Sequence, residues 1–195
     1  FCFQKYSKHT AQVLLTHDDI ADRTRYLNAR TSLNTLLQLG VIPIVNENDT
    51  VATDEIRFGD NDTLAGLVAN LIDAELLILL TDQKGLYTSD PRKNESAKFI
   101  EKAEASDPAL INYAGKSNAQ GRGGMQTKIK AALIAAKSNT DTVIASGNEE
   151  LTLLKIADGN FVGTLLTTSK KTLSARKQWL ANQSYVKGTI TIDSG

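Results

Sequence analysis

A chain of 195 residues has room for one substantial domain, or one domain with an appendage. Its 41% hydrophobic and 23% charged content is that of an ordinary globular protein, with 22 Lys plus Arg against 22 Asp plus Glu. That balance excludes a basic footprint for nucleic acid and an acidic tail. The single cysteine, Cys2, excludes an internal disulfide and fits a reducing, cytoplasmic setting; no Cys or His cluster has zinc-site spacing. No apolar run approaches the roughly 20 residues of a bilayer span, and no signal-peptide pattern opens the chain. The first residues, Phe1-Cys2-Phe3-Gln4-Lys5-Tyr6, read as the middle of an element, so a fragment is expected.

In chain order, residues 11–16 (AQVLLT) form a short apolar strand. Thr16 with Asp19 offers a capping-box start to one helix of five or six turns, ending before Gly40 with Leu33, Leu36 and Leu37 on one face. Residues 41–45 (VIPIV) are a second strand, and Pro43 in it cannot donate to a ladder. A polar loop over 46–53 leads into a hairpin arm at 55–58. Asp60 or Asn61 then caps a helix with Leu64, Leu67, Val68 and Leu71 inward.

The run 75–80 (ELLILL) reads as a parallel strand covered on both faces. A long loop to Asn94, a weak strand at Phe99 and Ile100, and a short helix after Pro108 follow. Gly121-Arg122-Gly123-Gly124 precedes a helix with Met125, Ile129, Ala132, Leu133 and Ala136 on its apolar side. Strands at 142–146 and 161–166 flank a helix through Leu151 and Leu154; a helix at 172–182 and a strand at 188–192 close the chain. This alternation predicts an α/β three-layer sandwich with a mainly parallel central sheet.

Three polar clusters lie where strands end or helices begin, the edge at which open α/β sheets bind ligands. They are Asn46-Glu47-Asn48-Asp49, Gly59-Asp60-Asn61-Asp62, and Thr81-Asp82-Gln83-Lys84-Gly85-Leu86-Tyr87. Asp49 suits a ligand ammonium, and Asn61 can donate to a ligand carboxylate. Turn and N-cap chemistry favours the same residue types, so each alone reads as structural. Two such clusters at neighbouring edges point to an amino-acid site.

Asp82 can cap a turn or face a ribose or adenine; local pattern leaves both open. The glycines before Met125 allow backbone N–H groups to converge on an anion, and Lys128 sits one turn into the helix. The spacing is not that of a Walker A loop, and a plain connector remains an equal alternative. His9, His17, Cys2 and Trp179 read as solvated or packed.

NENDTVAT, GDNDTLAGLVA, LLILLTDQKGLYTSDPR and GGMQTK, in this order, resemble the glutamate 5-kinase branch of the amino-acid kinase superfamily over nearly the whole chain. The resemblance implies ATP-dependent phosphorylation of the L-glutamate side-chain carboxylate, with Mg²⁺, in proline synthesis. It implies Asp49 and Asn61, with Asn46 beside them, at the glutamate. Thr81 and Asp82, together with the run Arg122, Gly123, Gly124, Met125, Gln126, Thr127 and Lys128, fall at the nucleotide. It makes Lys128 catalytic and Asp62 the carboxylate that orients catalytic lysines.

It also implies a kinase domain over 1–187 and the start of a PUA domain at 188–195. An N-terminal strand and glycine loop with a second lysine are expected ahead of Phe1, so these 195 residues alone carry an incomplete site. Arg122 stands where members often carry Thr. Feedback inhibition by proline, homo-oligomerisation and a glutamate-semialdehyde dehydrogenase partner are further implications; RNA binding is not supported by this segment. Aspartokinase is the nearest alternative, and acetylglutamate kinase has no use for an ammonium-binding Asp49. A non-catalytic nucleotide or amino-acid sensor is the alternative of another class.

Overall fold

The computed structural model describes residues 3–51, 60–114 and 124–168. The hairpin arm at 55–58, the closing helix and strand, and residues 121–123 lie outside them. After a 3-10 turn at Phe3–Tyr6, the order is β1 (His9–Leu15), α1 (His17–Ala21), α2 (Arg23–Gln38), β2 (Val41–Glu47), α3 (Asn61–Leu71) and β3 (Leu76–Thr81). There follow β4 (Leu86–Tyr87), β5 (Phe99–Ile100), β6 (Lys102–Glu104), α4 (Ala109–Tyr113), α5 (Met125–Ala136), β7 (Asp141–Ser146), α6 (Thr152–Ala157) and β8 (Thr164–Thr167).

The α/β architecture with mainly parallel pairing is present, its ladders separate among the described residues. β1 pairs with β2 in parallel, His9 opposite Val41 through Leu15 opposite Glu47. A second ladder runs β3-β7-β8-β6, with β3–β7 and β6–β8 parallel and β7–β8 antiparallel. β4 and β5 make a small antiparallel pair.

The expected capping box forms: the Asp19 carboxylate accepts from the Thr16 N–H and hydroxyl, both at 2.7 Å. The single long helix expected behind it does not. Asp22 takes extended backbone, ends α1 and caps α2 by accepting from the Arg25 N–H at 2.9 Å. An aspartate whose side chain can serve a free N–H competes with helix continuation. On α2 the inward residues are Tyr26 and Leu33, two turns apart, while Leu37 is 43% exposed.

α3 is the keystone because it serves two cores. Leu64 and Leu71 join Leu15, Ile20, Tyr26 and Leu33, with Leu67 and Val68 packed at the margin. Ala69, from another face of the helix, joins Leu77, Leu79, Ile129, Ala132, Ile144 and Leu166 between α5 and the sheet. Arg30 of α2 closes the far end, donating to the Leu71 carbonyl at 2.9 Å and pairing with Asp73. That carbonyl is one a helix leaves unsatisfied.

Two burial expectations are corrected. β3 is not covered on both faces, since Leu76 and Leu80 are exposed. It is the edge of its ladder among the described residues; the doubly covered strand is β7, which lies inside it. On α5 the inward residues are Lys128, Ile129, Ala131, Ala132 and Ala135, whereas Leu133 is 39% exposed. At the entrance to β8, Gly163 has φ +79°, and a Cβ there would fall 2.2 Å from the Ile144 carbonyl oxygen.

Candidate active site

α3 reverses into β3 through a short turn, in which the Ala74 N–H donates to the Ala69 carbonyl at 2.9 Å, so the N-terminal end of α3 and the C-terminal end of β3 share one edge of the molecule. α5 leads into β7, which lies parallel to β3, and so presents its own N-terminal end there too. Two helix N-termini with their positive dipole ends thus meet the C-terminal ends of parallel strands.

At this meeting point Asp62, in the first turn of α3, faces Lys128, in the first turn of α5. The Lys128 ammonium lies 3.0 Å from Asp62 Oδ1 and 2.9 Å from Oδ2. Thr127 Oγ1 lies 2.7 Å from Asp62 Oδ2 and 2.7 Å from the Gly124 carbonyl oxygen. The Asp62 and Lys128 side chains are only 15% and 10% exposed, so water screens them little. The family resemblance implied a link between these two residues, 66 positions apart; the fold brings them into one ion pair.

The pair stands at the head of a continuous α3–α5 seam. One turn on, Gly66 lies against Ala131, so closely that a Cβ would sit 2.7 Å from the Ala131 carbonyl oxygen. A further turn on, the fully buried Asn70 donates from Nδ2 to the Ile134 carbonyl at 2.9 Å. Residues 62, 66 and 70 are spaced by four, so they form one ridge of α3.

Other predicted residues sit at or just beyond the ends of β2, α3 and β3. Thr81 ends β3, and its carbonyl accepts from the Gly147 N–H at 2.8 Å, tying the ends of β3 and β7 together. Asp82 pairs with Arg92 at 3.0 Å, both side chains well exposed. Asn46 is the penultimate residue of β2, opposite Leu14, and Asp49 lies in the turn beyond it, next to Asn48, whose N–H donates to the Leu15 carbonyl at 2.8 Å. Asn61 opens α3 and lines a hollow of about 350 Å³ whose walls come from β2, α3 and β3. The helix cap is Asp60, which accepts from the Thr63 N–H at 2.7 Å, leaving the Asn61 amide out of capping.

Gly124 is the N-cap of α5 in extended backbone, and Met125, Gln126 and Thr127 form its first turn. Arg122 and Gly123 lie outside the described residues. Among the described residues no group of three or more His, Cys, Asp or Glu side chains gathers to hold a metal. Both oxygens of Asp62 are taken by Lys128 and Thr127.

Sequence reasoning missed several supporting residues. Thr164 is fully buried on β8, where its hydroxyl accepts from the Leu86 N–H at 2.8 Å and donates to the Ile100 carbonyl at 2.5 Å. Nothing local in a threonine of a strand reveals such a bridge. Gly66 and Asn70 did carry a signal: a glycine and an amide inside an otherwise apolar helix demand a close approach and a partner.

The amino acid kinase family model matches residues 2–146. The chain is 57% identical over its whole length to a glutamate 5-kinase of Nitrosospira multiformis and 59% identical over 99% of its length to one of Nitrosococcus oceani. It spans about half of these relatives, 52% of each. Among solved structures it resembles a UMP kinase of Bacillus anthracis, with TM-score 0.58, 20% identity and coverage of 88% of this chain and 63% of that one. An isopentenyl phosphate kinase of T. acidophilum gives TM-score 0.56 at 16% identity, covering 84% of this chain and 62% of that one. These two structural likenesses bear on the fold alone. With the family model covering most of the chain, and the fold shared, this protein belongs to the amino acid kinase family.

Proposed function

We propose that this protein transfers the terminal phosphoryl group of ATP to the side-chain carboxylate of L-glutamate, giving γ-glutamyl phosphate and ADP. The observation that carries the reading is the shielded Asp62–Lys128 pair between two helix N-termini. The relatives named glutamate 5-kinase, 55–59% identical over nearly the whole chain, supply the choice of acceptor. A buried ion pair is weak evidence for stability, because desolvation offsets much of its attraction. Its position at the ligand edge of the sheet favours a chemical role.

The acceptor needs no general base, since a glutamate carboxyl with a pKa of about 4.3 is ionised at neutral pH. The obstacle is repulsion between that anion and the triphosphate. In the proposed step a carboxylate oxygen attacks the γ-phosphorus and the bond to the β-phosphate oxygen breaks. Lys128 and the helix N-termini neutralise the charge that builds on the transferring group, and Asp62 orients the ammonium without taking a proton. Asp49 and Asn61, with Asn46, form the glutamate end. Thr81, Asp82 and the run 122–128 form the nucleotide end. Mg²⁺ would come with the nucleotide, as it commonly does, and would supply further neutralising charge.

The same reading includes a kinase domain over 1–187 with the beginning of a PUA domain at 188–195. It also includes self-association, proline as a feedback inhibitor near the glutamate end, hand-off of the labile acyl phosphate to a glutamate-semialdehyde dehydrogenase, and a cytoplasmic location. No helix among the described residues is long and apolar enough to cross a membrane.

The test is an assay of the full-length gene product with ATP and Mg²⁺, trapping acyl phosphate with hydroxylamine. Glutamate is expected to yield hydroxamate in preference to aspartate and N-acetylglutamate. Preference for aspartate would move the protein to the aspartokinase reading, and nucleotide binding without any hydroxamate to the sensor reading.

A further inference from the structure

We propose that Thr127 is a positioning residue for the reaction, its hydroxyl fixing the Asp62 carboxylate against Lys128. The inference deepens the proposed kinase reading and rests on it. An ionised carboxylate has two equivalent oxygens and turns about its last bond unless its contacts tell the two apart. Lys128 Nζ lies nearly equidistant from the two, at 3.0 and 2.9 Å, so it holds them without distinguishing them. Thr127 does distinguish them, since its hydroxyl reaches Oδ2 alone, at 2.7 Å. That contact sets the plane of the carboxylate, and the plane sets where the ammonium points.

The position of Thr127 makes the contact more than packing. It is the third residue of α5, and its Oγ1 is equally 2.7 Å from the carbonyl of the N-cap, Gly124. A hydroxyl has one proton for two acceptors, and the charged one draws it more strongly. The backbone N–H of Thr127 also donates to Gly124, at 3.1 Å, so the residue is anchored to the point where the loop enters the helix. The carboxylate is thereby referenced to the loop proposed to hold the nucleotide, through one side chain.

The experiment compares Thr127→Val, nearly isosteric but without the hydroxyl, with Thr127→Ser, which keeps it, in the full-length gene product. Thr127→Val is expected to lower kcat by roughly tenfold to a hundredfold, the range for losing one hydrogen bond to a charged group, with KM for ATP within about twofold. Thr127→Ser is expected to restore kcat to within about threefold of the parent. In an Asp62→Asn background, Thr127→Val should cost less than about twofold more, because both act through the same carboxylate.

A rise in KM for ATP matching the fall in kcat would confine the Thr127 hydroxyl to the nucleotide-binding part its loop plays and overturn the inference. So would a full multiplicative loss in the Asp62→Asn background, or an unchanged kcat in Thr127→Val. A second readout does not depend on turnover: acylation of Lys128 by acetic anhydride, normalised to the exposed Lys130 of the same helix. The ratio is expected to rise about threefold or more in Thr127→Val and to stay unchanged in Thr127→Ser. Equal ratios in all three proteins would overturn the inference. An inactive parent with all three acceptors would instead defeat the kinase reading and leave this ratio as the measure of Thr127.

Discussion

Replacing Gly66 with alanine tests the α3–α5 seam that holds Asp62 opposite Lys128. The added Cβ would stand 2.7 Å from the Ala131 carbonyl oxygen and 3.3 Å from its C and Cα, all backbone atoms that no rotamer change can move aside. An ordinary contact requires the two helices to part by about half an ångström, which forfeits about a quarter of the dispersion energy along that face. Overpacking of this kind costs about 1–3 kcal/mol, and the better helix propensity of alanine returns about 1 kcal/mol. Because the obstacle is backbone met at 2.7 Å, the upper half of that range applies, and the net expectation is a loss of roughly 1–2 kcal/mol. With a urea m-value of about 2 kcal/mol/M, the unfolding midpoint should fall by roughly 0.5–1 M at unchanged m. An equal or higher midpoint would show that propensity governs this position and that the close approach is not a constraint.

Three further outcomes follow from the same geometry. Thr164→Val removes the hydroxyl that serves both the Leu86 N–H and the Ile100 carbonyl, and should cost about 1–3 kcal/mol in urea unfolding, with Thr164→Ser largely restoring it. Lys128→Met leaves the shielded Asp62 charge unpaired, which should cost about 3–5 kcal/mol; adding Asp62→Asn should recover most of that, and simple additivity would contradict the pairing. Burial raises the Asp19 carboxyl, but bonds from the Thr16 N–H and hydroxyl and from Arg25 outweigh it and hold the group below its ordinary 3.8. A carboxyl depressed in the folded state adds stability that is present above the unfolded value and lost as pH falls through the folded one. The stability gap between the parent and Asp19→Asn should therefore be open at neutral pH and close in acid; a gap independent of pH would contradict it.

Much of the architecture was legible because its signals are local. The strand runs, the Thr16–Asp19 capping box and a helix cap at Asp60 or Asn61, which proves to be Asp60, each depend on residues within a turn of one another. The break at Asp22 was missed because an aspartate within a helical pattern reads as an ordinary surface residue until its side chain turns to the Arg25 N–H. The burial of β3 was overestimated because a continuous apolar run does not say whether a strand lies inside its ladder or at the edge. In the site, polar clusters at element ends marked Asp62, Thr81 and Asp82, and glycines before α5 marked the neighbourhood of Lys128. Their joining was implied by the family resemblance and was not legible in local pattern. It depends on Gly66 and Asn70 setting the approach of two helices that are far apart in the chain.

The central claim is that the Lys128 ammonium, held by Asp62, stabilises the charge on the transferring phosphoryl group. The most direct measurement is kcat for hydroxamate formation from glutamate by full-length Lys128→Ala protein, with its fold verified by circular dichroism. A fall of roughly 10²–10³ with little change in KM for ATP is predicted, the loss typical of one transition-state donor. An unchanged kcat in folded protein would contradict the account.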